Sequence, residues 1–139
     1  MLEPFQKSTL ADWFATAQGE YVLRWERAQY DRAVEDVFGF HAVQIGTPSI
    51  DYLRTNRMAC RVTAGLEPGC RVRALPTELP FESGSIDLLV LPHVLEFADE
   101  PHRILREAER VLVPEGQIVI SGFNPLSLWG AKRALARRR

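Results

Sequence analysis

An α/β fold with a Rossmann-like, mostly parallel sheet and flanking helices is the architecture this sequence predicts, and three observations predict it. The run Leu88-Leu89-Val90-Leu91 is continuously apolar, as in a strand buried on both faces. Beyond it, Ile104, Leu105, Ala108, Val111 and Leu112 recur at helical spacing and place one apolar stripe on one face. Pro114-Glu115-Gly116 then turns the chain, and Gln117-Ile118-Val119-Ile120 reads as a second short strand. Strand, helix and strand in that order are the unit from which parallel sheets are built.

The other elements follow from the same signals. Residues 10–38 read as helical, with a break near Gly19 and a longer second helix closing at Gly39, which suits a left-handed C-terminal cap. Val22, Trp25, Gln29, Ala33 and Val37 follow one flank of it. Glu20 with Arg24, and Arg27 with Asp31, have the four-residue spacing of helical charge pairs. His41 to Ile45 is the natural first strand, ending at Gly46, and Pro48 to Met58 reads as the first crossover helix. Arg61 to Ala64 and Arg71 to Leu75 are two further strand candidates. The separator Leu66-Glu67-Pro68-Gly69 is too short for a helical crossover, so either one strand is lost or the two form a hairpin. Asn124-Pro125, an N-cap followed by proline at the first helical position, starts a terminal helix through Ala134.

A chain of 139 residues is one domain's worth. It divides into an N-terminal helical segment (1–39), an α/β core (40–123) and a terminal helix with a basic tail (124–139). With 17 basic and 18 acidic residues, no global field steers the protein toward nucleic acid or an anionic bilayer. The basic cluster Lys132, Arg133, Arg137, Arg138 and Arg139 reads as a solvated helix end. Cys60 and Cys70 have neither zinc-site nor redox-pair spacing, so no metal is expected, and they read as small core residues in a reducing compartment. No secretory leader or membrane span is visible in the sequence, and the expected location is the cytoplasm.

Several co-ordered pieces carry a family resemblance. They are Leu79-Pro80-Phe81, Ser85-Ile86-Asp87-Leu88-Leu89-Val90, Val94-Leu95-Glu96-Phe97 with Asp99 and Pro101, and Arg110-Val111-Leu112-Val113-Pro114-Glu115-Gly116. Together they span roughly a third of the chain. This segment resembles the class I S-adenosylmethionine-dependent methyltransferases, in particular the ubiquinone/menaquinone-methyltransferase-like group called methyltransferase type 11. The resemblance implies S-adenosyl-L-methionine as cofactor and transfer of its methyl group to an unidentified acceptor, expected to be a small molecule. A complete family domain continues for two more strands, so Gln117 to Ser121 is expected at an uncovered sheet edge. That edge or the C-terminal helix would offer a homodimer surface.

Open parallel sheets bind ligands outside the carboxyl ends of their strands, which selects Gly46-Thr47-Pro48, Leu91-Pro92-His93 and Gly122-Phe123-Asn124. The resemblance then implies that Gly46, Thr47, Leu91, Pro92 and His93 frame the cofactor. His93 is the candidate catalytic residue, because an imidazole titrates where it can take a proton from an acceptor. The loop departs from the family pattern. The family's acidic position is Gln44, and its later glycines fall on Pro48 and Ile50, which lack glycine's conformational freedom. The nearest acid to the ribose position is Glu67, the adenine position falls on Leu75, and Glu78 is close but out of register. Glu96 is expected to support its loop, and Asp87 to fix a turn away from the crevice. Asn124 reads as a cap, while Phe123, Leu126, Leu128 and Trp129 could line an acceptor pocket or a dimer seam. A second reading is a non-catalytic methyltransferase-like module that binds a partner or self-associates. A dinucleotide oxidoreductase is excluded by the missing Gly-x-Gly-x-x-Gly loop.

Overall fold

The computed structural model describes residues 12–122 and the backbone of 136–138. Five strands run parallel: β1 (His41–Ile45), β2 (Cys60–Gly65), β3 (Val72–Arg73), β4 (Ile86–Pro92) and β5 (Leu112–Ser121). A sixth, β6 (Ala136–Arg138), pairs antiparallel with β5, and the strand order is β3-β2-β1-β4-β5-β6. Helix α1 (Ala17–Val34) precedes the sheet, and helix α2 (Pro101–Val111) joins β4 to β5 after a single 3-10 turn at Leu95–Phe97. The expected α/β fold is therefore the one the chain adopts.

Alternation along the strands divides the core into two layers. Ala42, Leu88, Val90 and Val119 meet Tyr30 and Val34 of α1, together with Tyr52, Leu53 and Met58. On the opposite face Val43, Ile45, Leu89, Leu91 and Ile118 meet Ile104, Ala108 and Val111 of α2. The loop carrying Leu79-Pro80-Phe81 is tied to α2. Glu107 Oε2 accepts the Leu79 N–H at 2.8 Å, and Arg110 Nη2 donates to the Leu79 carbonyl at 2.9 Å.

Tertiary packing revises the expected elements in several places. The break expected near Gly19 falls at Ala15-Thr16, between a helical turn over residues 12–14 and the longer helix α1; Thr16 caps α1, its Oγ1 accepting the N–H of Gly19 inside the first turn. A Cβ on Gly19 would stand 1.9 Å from the Trp13 carbonyl oxygen, so close approach explains that glycine. The helix ends at Val34, short of Gly39. Gly39, at φ 151°, instead passes against Asp87, whose Oδ2 accepts the Phe40 and His41 N–H groups at 2.8 and 3.1 Å. Asp87 thus fixes the turn into β1. The buried line of α1 is Gly19, Glu26, Tyr30 and Val34, while Val22, Trp25, Gln29 and Ala33 lie half-buried beside it. Asp31 holds Arg54 through Nε and Nη2 at 2.9 and 2.6 Å, where a pair with Arg27 was expected.

Residues 48–58 form successive turns and no helix. Side chains there compete for the backbone groups a helix would use: Asp51 Oδ1 accepts the Leu53 N–H, and Asn56 Oδ1 accepts that of Met58. Both β2 and β3 survive as parallel neighbours, correcting the expectation of a hairpin or a lost strand. They pair only at Ala64–Val72 and Gly65–Arg73, so the connecting chain never has to run back along β2. Pro114-Glu115-Gly116 lies inside β5, and Leu112, expected on the helix stripe, begins that strand. Ile86 pairs with Leu112 but Leu88 with Gln117, and a bulge takes up the extra residues. The β5 edge expected to be bare is covered by β6, which takes its outer hydrogen bonds, and residues 136–138 are strand where the basic tail was read as a helix end. Cys60 is exposed and Cys70 half-buried, so neither is a core residue. Among the described residues no helix is long and apolar enough to cross a membrane. The terminal helix through Ala134, with Phe123, Asn124, Leu126, Leu128 and Trp129, lies outside the described residues.

Replacing Asp87 by alanine removes the acceptor for two backbone N–H groups at the start of β1. The variant should lose about 1–2 kcal/mol of stability in urea unfolding, with the cooperative transition retained.

Candidate active site

Chain order reverses between β1 and β4: the sheet is built outward from β1 through β2 to β3, then resumes with β4 on the other side of β1. Crevices at such a reversal are where open α/β sheets bind ligands. Gln44 is level with Val90 and Pro92 with Ser121. Continued past the strand ends, that register brings Thr47 toward His93, and His93 toward Gly122.

Thr47 and His93 are the two non-glycine residues with left-handed backbone among the described residues, at φ 49° and 55°. Such torsions persist only where the surroundings enforce them. Here hydrogen bonds do so. The Thr47 N–H donates to Glu67 Oε2 at 3.2 Å, and the His93 N–H donates to the Ser121 carbonyl at 3.0 Å. Gly46 lies close to β2: a Cβ on Gly65 would stand 3.4 Å from Gly46 Cα and 2.9 Å from Glu67 Oε1. The carboxylate of Glu67 therefore sits between the carboxyl ends of β1 and β2.

The β1 loop is organised by Gln44, which is buried. Its Nε2 lies 2.9 Å from each of the Gly46, Thr47 and Ile50 carbonyls, and its Oε1 accepts the Tyr52 N–H at 3.0 Å. A carboxylate here could not donate to those carbonyls, so the amide of Gln44 matches this loop's own shape. Pro48 packs against the β2–β3 loop, where a Cβ on Gly69 would lie 3.3 Å from its Cγ.

At the end of β4 stands a buried charged cluster. His93 is 3% exposed and Glu26 4%. His93 Nε2 lies 2.8 Å from Glu26 Oε2, and Nδ1 lies 3.2 Å from Glu96 Oε2. Burial pulls the imidazole pKa down, but the hydrogen bonds to Glu26 and Glu96 and the charges of both outweigh it and raise the value to about 9. The imidazole is thus protonated at neutral pH, with both nitrogens engaged. In that form, the general-base role expected of it from sequence would require the proton to leave first. Tyr52 Oη donates to Glu26 Oε1 at 3.0 Å, and Tyr30 Oη donates to Ser121 Oγ at 2.8 Å. Burial and the charge of Glu26 keep both phenols protonated.

Of the residues expected to frame a cofactor, Gly46 and Thr47 form the β1 lip, and Pro92 and His93 the β4 end, where both are buried. Leu91 packs in the core on the α2 side. Glu67 joins the β1 lip, and Glu96 stands beside His93. Leu75 is 47% exposed, and Glu78 is also exposed, 3.9 Å from Arg103. Glu26, Tyr30, Tyr52 and Ser121 were missed. One signal pointed to Glu26: a single acid on the helical line Gly19, Tyr30, Val34 that otherwise reads as packing. No group of three metal-ligating side chains occurs among the described residues.

A parallel sheet whose chain order reverses between β1 and β4 defines the Rossmann-like class of α/β proteins. The methyltransferase-domain family matches residues 40–120, which carry β1 to β4 and nearly all of β5, and the chain belongs to that family. YafS of Escherichia coli K12 is 40% identical over 102 residues, covering 70% of this chain and 41% of YafS. MJ1123 of Methanocaldococcus jannaschii is 42% identical over 53 residues, 38% of this chain and 26% of that protein. The chain thus spans less than half the length of the curated relatives it matches. Among solved structures, a SAM-dependent methyltransferase from Thermotoga maritima aligns with TM-score 0.63 at 20% identity, over 90% of this chain and 62% of its own. One from Aquifex aeolicus aligns with TM-score 0.60 at 13% identity, over 86% and 74%. These two show a shared fold.

Two outcomes follow from the site. Gln44→Glu turns a donor into an anion facing carbonyl oxygens, and should cost about 2–4 kcal/mol in urea unfolding at neutral pH. Because the folded pKa of His93 is raised from 6.5 to about 9, its contribution to stability is complete below pH 6.5 and is lost as pH climbs through 9. Urea midpoints should fall across that window, and His93→Ala should flatten that part of the profile.

Proposed function

We propose that this chain is the cofactor-binding part of an S-adenosylmethionine-dependent methyltransferase that transfers the methyl group directly to a small-molecule acceptor. The observation that carries the reading is the pair of left-handed turns, Thr47 and His93, at the carboxyl ends of the two strands between which chain order reverses. Membership of the methyltransferase-domain family supports it.

The residues present fit the nucleoside half of the cofactor. Glu67 sets a carboxylate, suited to a ribose diol, at the close approach of Gly46 and Gly65. The exposed side chain of Leu75, at the adenine position, offers an apolar surface to a base. Pro48 has no amide hydrogen, and the Ile50 N–H is directed to the Thr47 carbonyl, so the loop has few donors for the amino-acid half. When bound, the cofactor supplies an electrophilic sulfonium methyl. The chain's own part is positional. Gly46, Thr47 and Glu67 hold one side of the crevice, Pro92 and His93 close the other, and the imidazolium keeps its proton between two carboxylates. Holding an acceptor lone pair in line is the main requirement of a direct displacement.

Calorimetric titration with S-adenosylmethionine and with S-adenosylhomocysteine tests the reading. Micromolar binding is expected, weakened about tenfold or more by Glu67→Ala, the scale of a lost hydrogen bond to a charged group. Folded protein that takes up neither ligand overturns it.

A further inference from the structure

We infer that Glu26, on the helix beside the strand ends, is a positioning residue whose carboxylate couples the β1 loop to the β4 turn and thereby shapes the crevice. The inference rests on the methyltransferase reading only for its effect on nucleoside binding; the coupling itself stands on geometry.

Each carboxylate oxygen of Glu26 serves a different side of the site. Oε1 takes the Tyr52 hydroxyl at 3.0 Å and Oε2 takes His93 Nε2 at 2.8 Å. Both connections continue outward. The Tyr52 N–H is bound by Gln44, whose amide holds the Gly46 and Thr47 carbonyls. The other nitrogen of His93 meets Glu96, whose Oε1 lies 3.0 Å from the place a Cβ on Gly122 would take. One hydrogen-bonded path therefore runs from Thr47 to Glu96 with Glu26 between its two halves, and the His93 N–H bond to the Ser121 carbonyl ties it to the end of β5. The groups facing His93 are Glu26 from α1, Glu96 from the 3-10 turn, the ring of Phe14 edge-on at 5.7 Å between centroids, and the Ser121 carbonyl. Tyr52 and Tyr30 complete the surroundings of Glu26.

A buried acid serving only to stabilise α1 would be replaceable by any group of similar shape. The amide of a Glu26→Gln variant has that shape and still cannot take over. Its single acceptor oxygen can serve Tyr52 or His93 but not both, and it carries no negative charge to favour the imidazolium.

The test combines nitrogen NMR of the histidine side chains, assigned with His93→Gln, and calorimetric titration with S-adenosylhomocysteine. In the wild-type protein at neutral pH, His93 should carry protons on both ring nitrogens. Glu26→Gln should lower its titration midpoint by about one unit or more and weaken S-adenosylhomocysteine about tenfold, with Glu26→Asp intermediate in both. Val34→Ala opens a cavity under the same helix without touching the path, and should lower the urea midpoint while leaving both readouts unchanged. Tyr52→Phe cuts the path on the β1 side: it should weaken the ligand while His93 stays protonated. A His93 that titrates at the ordinary histidine value in the wild type, or does not respond to Glu26→Gln, overturns the coupling. Unchanged ligand affinity in Glu26→Gln overturns its role in shaping the crevice. Wild-type protein that binds no S-adenosylhomocysteine removes the methyltransferase reading alone, and the NMR arm still decides the coupling.

Discussion

Everything in this molecule is arranged around β4, a strand whose residues Leu88 to Leu91 are buried on both faces. A strand of that kind must be covered twice, and the two covers are α1 with the turns of residues 48–58 on one side and α2 on the other. Pairing with β1 fixes its height in the sheet. With Gln44 level with Val90, the turns that end both strands emerge together, and their closeness is a consequence of register. Asp87 secures the same register from the opposite end by holding the first N–H groups of β1.

The cost of this arrangement is concentrated in one place. Glu26 and His93 are charges removed from water, and a buried pair is tolerated only when its remaining hydrogen-bonding capacity is used. Tyr52 and Glu96 use it. The same rule governs the β1 loop, where a buried amide rather than a carboxylate faces carbonyl oxygens. Gln44, Pro48 and Ile50 thus form one local solution. Gln44 binds the loop carbonyls, Pro48 packs where Gly69 makes room, and Ile50 offers its carbonyl to Gln44.

Much of the fold was legible in the residues. The apolar run of β4, the stripe of α2 and the short β1 followed from periodicity alone, and the family resemblance implied that Asp87 holds a turn. The misreadings share a cause. Gly39 and residues 48–58 were judged by local propensity, whereas contact with Asp87 and side-chain bonds to the backbone decided them. Cys60 and Cys70 were assigned to the core on residue type, and burial proved otherwise. Glu26 showed in the sequence only as an acid on an otherwise apolar helical line, because its partners lie 26 and 67 positions away along the chain.

Sequence by itself determined the class of fold and the places where its strands end, because hydrophobic period and turn chemistry are properties of neighbouring residues. It also placed Gly46, Thr47 and His93 at the ends of the two strands where chain order reverses. The tertiary structure alone decided what those residues can do. Protonation of an imidazole depends on which carboxylates the packing brings to it and on how much water it excludes, and neither is encoded within one segment. It decided likewise that β5 is covered by β6 and that β2 and β3 pair in parallel, since both depend on where distant segments meet.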